Sequence, residues 1–116
     1  MKKAYILNGC STCQRILKEI NWHGEIQNIK EENIDEITLD NLANEHGSYE
    51  ALFSKRAMKY RSLGLNNMDL KEKDYKSLML KEYTFLKRPF IFFDDKSFVG
   101  NSKKNIAQIK EYMKNA

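Results

Sequence analysis

Apolar positions near the start of the chain repeat first with the spacing of a strand, then of a helix, then of a strand again. Residues 4–7 form an apolar run that predicts a buried strand. After Cys13, apolar side chains recur at helical spacing until His23-Gly24 offers a stop: Ile16, Leu17 and Ile20. Residues 25–29 alternate polar and apolar side chains, as a second strand does. This β-α-β order predicts two parallel strands with a right-handed crossover.

The stretch from Glu31 to Arg88 contains no convincing strand and is too long for an ordinary connection. Its pattern predicts three helices. Thr38 can cap the first, which Gly47 can close, and Ser54 can open the second, which Gly64 can end. Side chains at helical spacing share one face of the first helix: Leu39, Leu42, Ala43 and His46. Another set shares one face of the third helix: Tyr75, Leu78, Met79 and Glu82.

The last part of the chain predicts a hairpin followed by a helix. Residues 90–93 and 97–100 flank Asp94-Asp95-Lys96 as two strands. The tail from Ser102 places three apolar side chains on one helical face: Ile106, Ile109 and Met113. We therefore predict a single α/β domain over residues 1–116, with a mixed four-stranded sheet and a helical subdomain inserted at about residues 35–84.

Composition and charge narrow the class of protein. The chain has 116 residues, is 41% hydrophobic and carries 20 basic against 16 acidic residues, which suits one domain with one core. Because the charges of both signs are interspersed, we expect a solvated surface and no direct nucleic-acid partner. After Lys2-Lys3, residues 4–7 are too few for a signal peptide or a membrane span. We therefore expect a cytoplasmic protein without a membrane partner.

The two cysteines of the chain stand together in Cys10-Ser11-Thr12-Cys13, where the first strand turns into the first helix. Unpaired backbone N–H groups and the helix dipole favour a thiolate there, so one cysteine can attack and the other can resolve. In a reducing compartment such a pair is more often catalytic or metal-binding than a permanent structural disulfide. Half of a zinc site and a structural disulfide remain alternatives, although neither His23 nor His46 has the usual ligand spacing.

The lone proline, Pro89, opens the third predicted strand. With this element order and the Cys-x-x-Cys junction, the chain resembles the thioredoxin and glutaredoxin superfamily. The resemblance implies a thioredoxin-like fold, a cis Arg88–Pro89 bond and a backbone there that lies against Cys10.

Within that superfamily the chain is similar to the arsenate reductase (ArsC) and Spx family. The segments that carry the similarity run in order along the chain: residues 52–56, 60–65, 86–90 and 99–100. Two activities occur in this family. One is arsenate reduction linked to glutathione and glutaredoxin, and the other is binding of RNA polymerase by redox-sensing Spx-type regulators.

The resemblance implies a role for each candidate site residue. Cys10 is the nucleophile, Cys13 resolves by forming a disulfide, and Arg56 and Arg88 hold the oxyanion and stabilise the thiolate. We expect no bound cofactor, a substrate that is an oxyanion such as arsenate or a disulfide, and glutathione, glutaredoxin or thioredoxin as electron donor. The chain departs from the arsenate reductases in having Cys13 and in lacking a further arginine within residues 99–103. The alternative is a redox-sensing regulator that binds RNA polymerase.

Overall fold

The computed structural model describes residues 2–115. Strand β1 (Lys3–Ile6) and strand β2 (Glu25–Asn28) pair in parallel, and helix α1 (Ser11–Glu19) connects them. Strand β3 (Phe90–Phe92) lies antiparallel to β1 and also to strand β4 (Ser97–Val99). The resulting order is β2-β1-β3-β4. The predicted mixed four-stranded sheet of a thioredoxin-like fold is confirmed.

The sheet is covered by α1 and by helix α5 (Lys103–Lys114), as the apolar periodicity predicts. Ser102 caps α5, because its hydroxyl accepts a hydrogen bond from the Asn105 N–H at 3.1 Å. The side chains that pack between helices and sheet are almost all apolar, and the Cys13 thiol lies among them. They are Ala4, Ile6, Cys13, Leu17, Ile20, Ile91, Phe93, Phe98 and Ile109.

Helix α1 ends earlier than the sequence predicts. Its last residue is Glu19, and Ile20 caps it by donating its N–H to the Ile16 carbonyl at 2.9 Å. Asn21 then adopts a left-handed conformation with φ of 54°. Asparagine tolerates this region better than most residues, so the chain turns here and the stop predicted at His23-Gly24 is wrong.

Residue contacts divide the chain into two units, one made of residues 1–32 and 88–116 and the other of residues 33–87. The second unit contains the three predicted helices: α2 (Glu36–His46), α3 (Met58–Ser62) and α4 (Glu72–Lys81). Gly47 closes α2 with φ of 98°, as predicted. Glu82 lies just beyond α4, and its carboxylate accepts a hydrogen bond from the Thr84 N–H.

Two of the predicted helix starts are wrong. Asp35, and not Thr38, is the N-cap of α2, which places Glu36 in the first turn, where a negative charge suits the helix dipole. Ser54 does not open α3, because its N–H donates to the Phe85 carbonyl at 2.7 Å. This bond extends the antiparallel bridge between Phe53 and Leu86, so the chain stays extended there.

An aromatic cluster forms the centre of the second unit. Phe53 stacks on Phe85 with ring centroids 4.9 Å apart and meets Tyr75 edge-on at 4.9 Å. Lys76 ties α4 to α2 through ion pairs with Glu36 at 2.8 Å and Asp40 at 3.0 Å. These contacts explain why the predicted insertion carries a core of its own. Within residues 2–115, no helix is long and apolar enough to cross a membrane.

Candidate functional site

Cys10 lies where β1 ends and α1 begins. Its backbone is extended, with φ of −89° and ψ of 108°, and it forms the N-cap of α1. The Cys10 N–H donates to the Leu7 carbonyl at 2.9 Å, which closes the turn between strand and helix. The Cys13 N–H points at the Cys10 Sγ, 3.4 Å away. The cap thus places the sulfur over the N–H groups that a helix start leaves unpaired.

The pKa of Cys10 is lowered from its ordinary value of 9.0. Partial burial acts in the opposite direction, but four stabilising contacts outweigh it: the Cys13 N–H, the Cys13 thiol, the positive charge of Arg88 and the Thr12 N–H. Because the thiolate is the nucleophilic form of cysteine, these contacts make Cys10 the reactive member of the pair.

Cys13 has the opposite environment. Its side chain is fully buried in the core of the first unit, and it is not joined to Cys10 by a disulfide. Burial raises the pKa of the Cys13 thiol to about 11; the neighbouring Cys10 sulfur adds to the rise, while a backbone hydrogen bond from Leu7 opposes it. Cys13 therefore keeps its proton at neutral pH while Cys10 loses it more readily.

Raising the pH above 9 is expected to destabilise the reduced protein through Cys13. The folded thiol has a pKa of about 11 against an ordinary value of 9.0, so the folded state holds a proton that the unfolded chain has lost. The stabilisation is fully present below pH 9 and falls as the pH rises. In a Cys10→Ser background, which removes the opposite contribution of the Cys10 thiolate, we expect Cys13 to lower the unfolding free energy by up to roughly 2 kcal/mol between pH 8 and 10.5, measured by urea unfolding under reducing conditions.

Cys13→Ala in the same Cys10→Ser background is the control for this measurement. All other titratable groups remain in both proteins, so the difference between the two pH profiles isolates Cys13. Parallel profiles for the two proteins would contradict the assignment of the raised pKa to Cys13.

Arg88 and Pro89 lie directly before β3 in the same unit as the cysteines. The peptide bond between them is cis, in agreement with the expectation. The Arg88 side chain is partly buried, and its Nη1 has no hydrogen-bond partner among the described residues. A buried guanidinium nitrogen without a partner is costly. The Arg88 Nη1 can therefore still donate a hydrogen bond to a ligand.

Arg56 belongs to the other unit, where it stands in the chain between the turn at Glu50–Leu52 and α3, and its side chain is exposed. Its part in holding an oxyanion stays a prediction. No group of three or more His, Cys, Asp or Glu side chains is placed to hold a metal within the described part of the chain.

Two polar side chains that no sequence motif marks bind the turn before Cys10. The Asn28 Oδ1 accepts the Asn8 N–H at 3.3 Å, and the Gln14 amide donates to the Asn8 carbonyl at 3.4 Å. At a strand end and on a helix surface, such residues ordinarily contact solvent. No sequence signal shows that the side chains of Asn28 and Gln14 both bind Asn8, because these contacts form only when the chain folds.

A groove of about 550 Å³ lies elsewhere in the first unit, between the β3–β4 turn and the end of α5. It is lined by Asp95, Lys96, Phe98, Gln108, Glu111, Tyr112 and Asn115. None of the predicted site residues lines it. The Tyr112 hydroxyl already donates a hydrogen bond to Asp95 there.

Comparison with known proteins gives one family over most of the chain. The sequence matches the ArsC family over residues 5–109. An arsenate reductase from Vibrio cholerae is 15% identical, with a TM-score of 0.73 and coverage of 95% of this chain and 97% of that one. An arsenate reductase (ArsC) related protein from Brucella melitensis is 25% identical, with a TM-score of 0.66 and coverage of 97% and 94%.

A third solved structure, SACOL0876 from Staphylococcus aureus, is 24% identical, with a TM-score of 0.73 and coverage of 93% of this chain and 97% of that one. No curated protein matched the chain. The solved structures therefore share this fold over nearly the full length of both chains.

Proposed function

The chain belongs to the ArsC family of thiol-dependent reductases, and we propose that Cys10 attacks an oxyanion such as arsenate, or a disulfide, with Cys13 as the resolving cysteine. The observation that carries the proposal is the thiol of lowered pKa at the start of α1, on which the charge of Arg88 acts. A thiolate that is stabilised by helix N–H groups and a cation needs no separate base.

The Arg88 Nη1, which has no hydrogen-bond partner among residues 2–115, supports an anionic substrate. A guanidinium presents paired N–H donors that match the oxygens of a tetrahedral oxyanion, and helix N-terminal amides bind the same kind of group. As the resemblance implies, Arg56 would supply a second guanidinium with paired N–H donors. Both arginines therefore enter the proposal as substrate-binding residues.

The proposed cycle moves two electrons from the cysteine pair to the substrate. With a disulfide, the Cys10 thiolate attacks one sulfur and releases the other as a thiolate. With arsenate, it forms a sulfur–arsenic bond while one arsenic–oxygen bond breaks, and the hydroxide that departs takes a proton from solvent to become water. Cys13 then loses its proton and attacks the Cys10 Sγ, so that the reduced product departs with two electrons and a Cys10–Cys13 disulfide remains.

The raised pKa of Cys13 is compatible with this order of events. Burial is its largest cause, and the Cys10 sulfur contributes as a neighbour. Once Cys10 is bonded to substrate its charge is gone, so this contribution disappears and Cys13 is more easily deprotonated. Glutathione, glutaredoxin or thioredoxin would then reduce the disulfide, which suits a reducing compartment such as the cytosol.

A turnover assay with arsenate and with a small disulfide tests the proposal, run separately with glutathione plus glutaredoxin and with thioredoxin. We expect turnover of at least one substrate. Arsenate turnover is expected to be weak, because residues 99–103 contain no further arginine. Efficient arsenate reduction would mean that another cation completes the site, with Lys103 as the first candidate.

The same cysteine pair supports a second candidate function, a redox-switched regulator that binds RNA polymerase. The observation that favours it is the Cys-x-x-Cys pair itself, which can switch between thiols and a disulfide. In this case, the oxidised and reduced proteins would differ in their capture of RNA polymerase and neither substrate would be turned over. That combination of results would replace the reductase proposal.

A further inference from the structure

Asn105 is a buried polar residue in the first turn of α5, with 9% of the residue exposed. It is not the cap of that helix, since Ser102 has this role. The side-chain amide of Asn105 instead donates to the Gly100 carbonyl, outside the helix, at 2.7 Å. A polar side chain buried in this way is held by the bond that it makes.

The hydrogen-bonded chain continues from Gly100 to the candidate site. The Gly100 N–H donates to the Pro89 carbonyl at 3.0 Å, one step beyond the last pair of the β3–β4 ladder, Phe90 with Val99. Gly100 has φ of 95°, a conformation that suits glycine. Two hydrogen bonds thus connect α5 to the residue that directly follows Arg88.

We propose that Asn105 is a positioning residue, which holds Arg88 in place beside Cys10 through Gly100 and Pro89. The proposal deepens the reductase function and rests on it for its biological meaning. Asn105 touches neither the sulfur nor a substrate in this scheme. It acts by fixing the backbone from which the Arg88 side chain extends.

The need for such an anchor follows from the Arg88 side chain itself. Its Nη1 has no hydrogen-bond partner within the described chain, so the side chain relies on its backbone for position. Electrostatic attraction between a guanidinium and a thiolate weakens as their separation grows. A small backbone shift at Pro89 therefore changes the reactivity of Cys10. The titratable and charged groups that act on Cys10 are Cys13 on α1 and Arg88 before β3.

The rate of alkylation of Cys10 by iodoacetamide, measured from pH 5 to 9, tests the proposal. The parent protein is Cys13→Ser, so that one thiol reacts. Asn105→Ala is expected to move the pH profile upward and to lower the rate at pH 6 by about threefold or more. Ser102→Ala is the matched control, because it weakens the same helix end but leaves the bond from Asn105 to Gly100. Its profile is expected to match the parent.

A second background separates positioning from a general loosening of α5. If Asn105 acts through Arg88, Asn105→Ala has no further effect on the profile once Arg88→Ala is present. An equal shift with and without Arg88, or a folded Asn105→Ala protein with an unchanged profile, would overturn the proposal. If Asn105→Ala does not fold, Asn105→Ser, which also lacks the amide, decides by the same criteria.

This experiment uses no reductase substrate, so the two proposals can fail separately. A protein without turnover that still shows the Arg88-dependent shift would overturn the reductase function and leave the positioning role of Asn105. An active reductase without the shift would overturn the positioning role of Asn105 and leave the reductase function.

Discussion

Replacement of Cys10 by serine is expected to abolish substrate reduction, with kcat/KM lower by at least about a thousandfold. A serine hydroxyl keeps its proton at neutral pH, so the contacts that stabilise the Cys10 thiolate have no anion to act on. The hydroxyl can occupy the same N-cap position, and the fold is expected to survive. Turnover with the substrate that the wild type reduces is the measurement, with circular dichroism to verify folding.

Cys13→Ser is the matched control for this variant. It leaves the nucleophile and removes the resolving thiol, so we expect one substrate molecule to be captured on Cys10 without completion of the cycle. Mass spectrometry of the intact protein would detect the adduct. Two results would contradict the assigned roles. One is retained turnover in Cys10→Ser, and the other is a substrate adduct on Cys13 in that variant.

The sheet was predictable because simple local patterns of apolar and polar residues mark its strands. The run at residues 4–7 and the alternation at residues 25–29 gave β1 and β2 with their parallel pairing, and Asp94-Asp95-Lys96 marked the turn between β3 and β4. Each of these signals is local. The helix starts at Thr38 and Ser54 failed because a good capping residue does not show where a helix begins. The bond from Ser54 to Phe85 joins residues far apart in the chain.

The same distinction applies to the candidate site. Cys10 and Cys13 are separated by two residues, so the strand–helix junction alone placed Cys10 at the start of the helix. The structure adds that Cys13 is buried in the core. Their opposite pKa shifts follow from that placement. The hydrogen bond from Asn105 to Gly100 gave no sequence signal, because an asparagine in a first helical turn is ordinarily taken for a local capping residue. Its importance depends on Pro89, which tertiary structure brings to Gly100.

Arg88→Ala is expected to weaken the binding of sulfate or arsenate to the reduced protein by about 1.5–3 kcal/mol, or roughly ten- to a hundredfold in dissociation constant. The variant removes the partly buried guanidinium whose Nη1 lacks a partner in the described residues. It also removes a positive charge that lowers the pKa of Cys10, so alkylation of Cys10 is expected to require higher pH. Calorimetry with sulfate and a pH series of alkylation rates measure the two effects.

Two further variants show which property of Arg88 matters. Arg88→Lys keeps the charge but loses the forked donors, so we expect it to restore much of the Cys10 reactivity and less of the oxyanion binding. Arg61→Ala removes an exposed arginine on α3 and controls for the change in net charge. If Arg88→Ala binds sulfate as tightly as Arg61→Ala and reacts over the same pH range, Arg88 has no part in the site. If only the alkylation profile moves, Arg88 stabilises the thiolate without holding the anion, and a disulfide becomes the favoured substrate over arsenate.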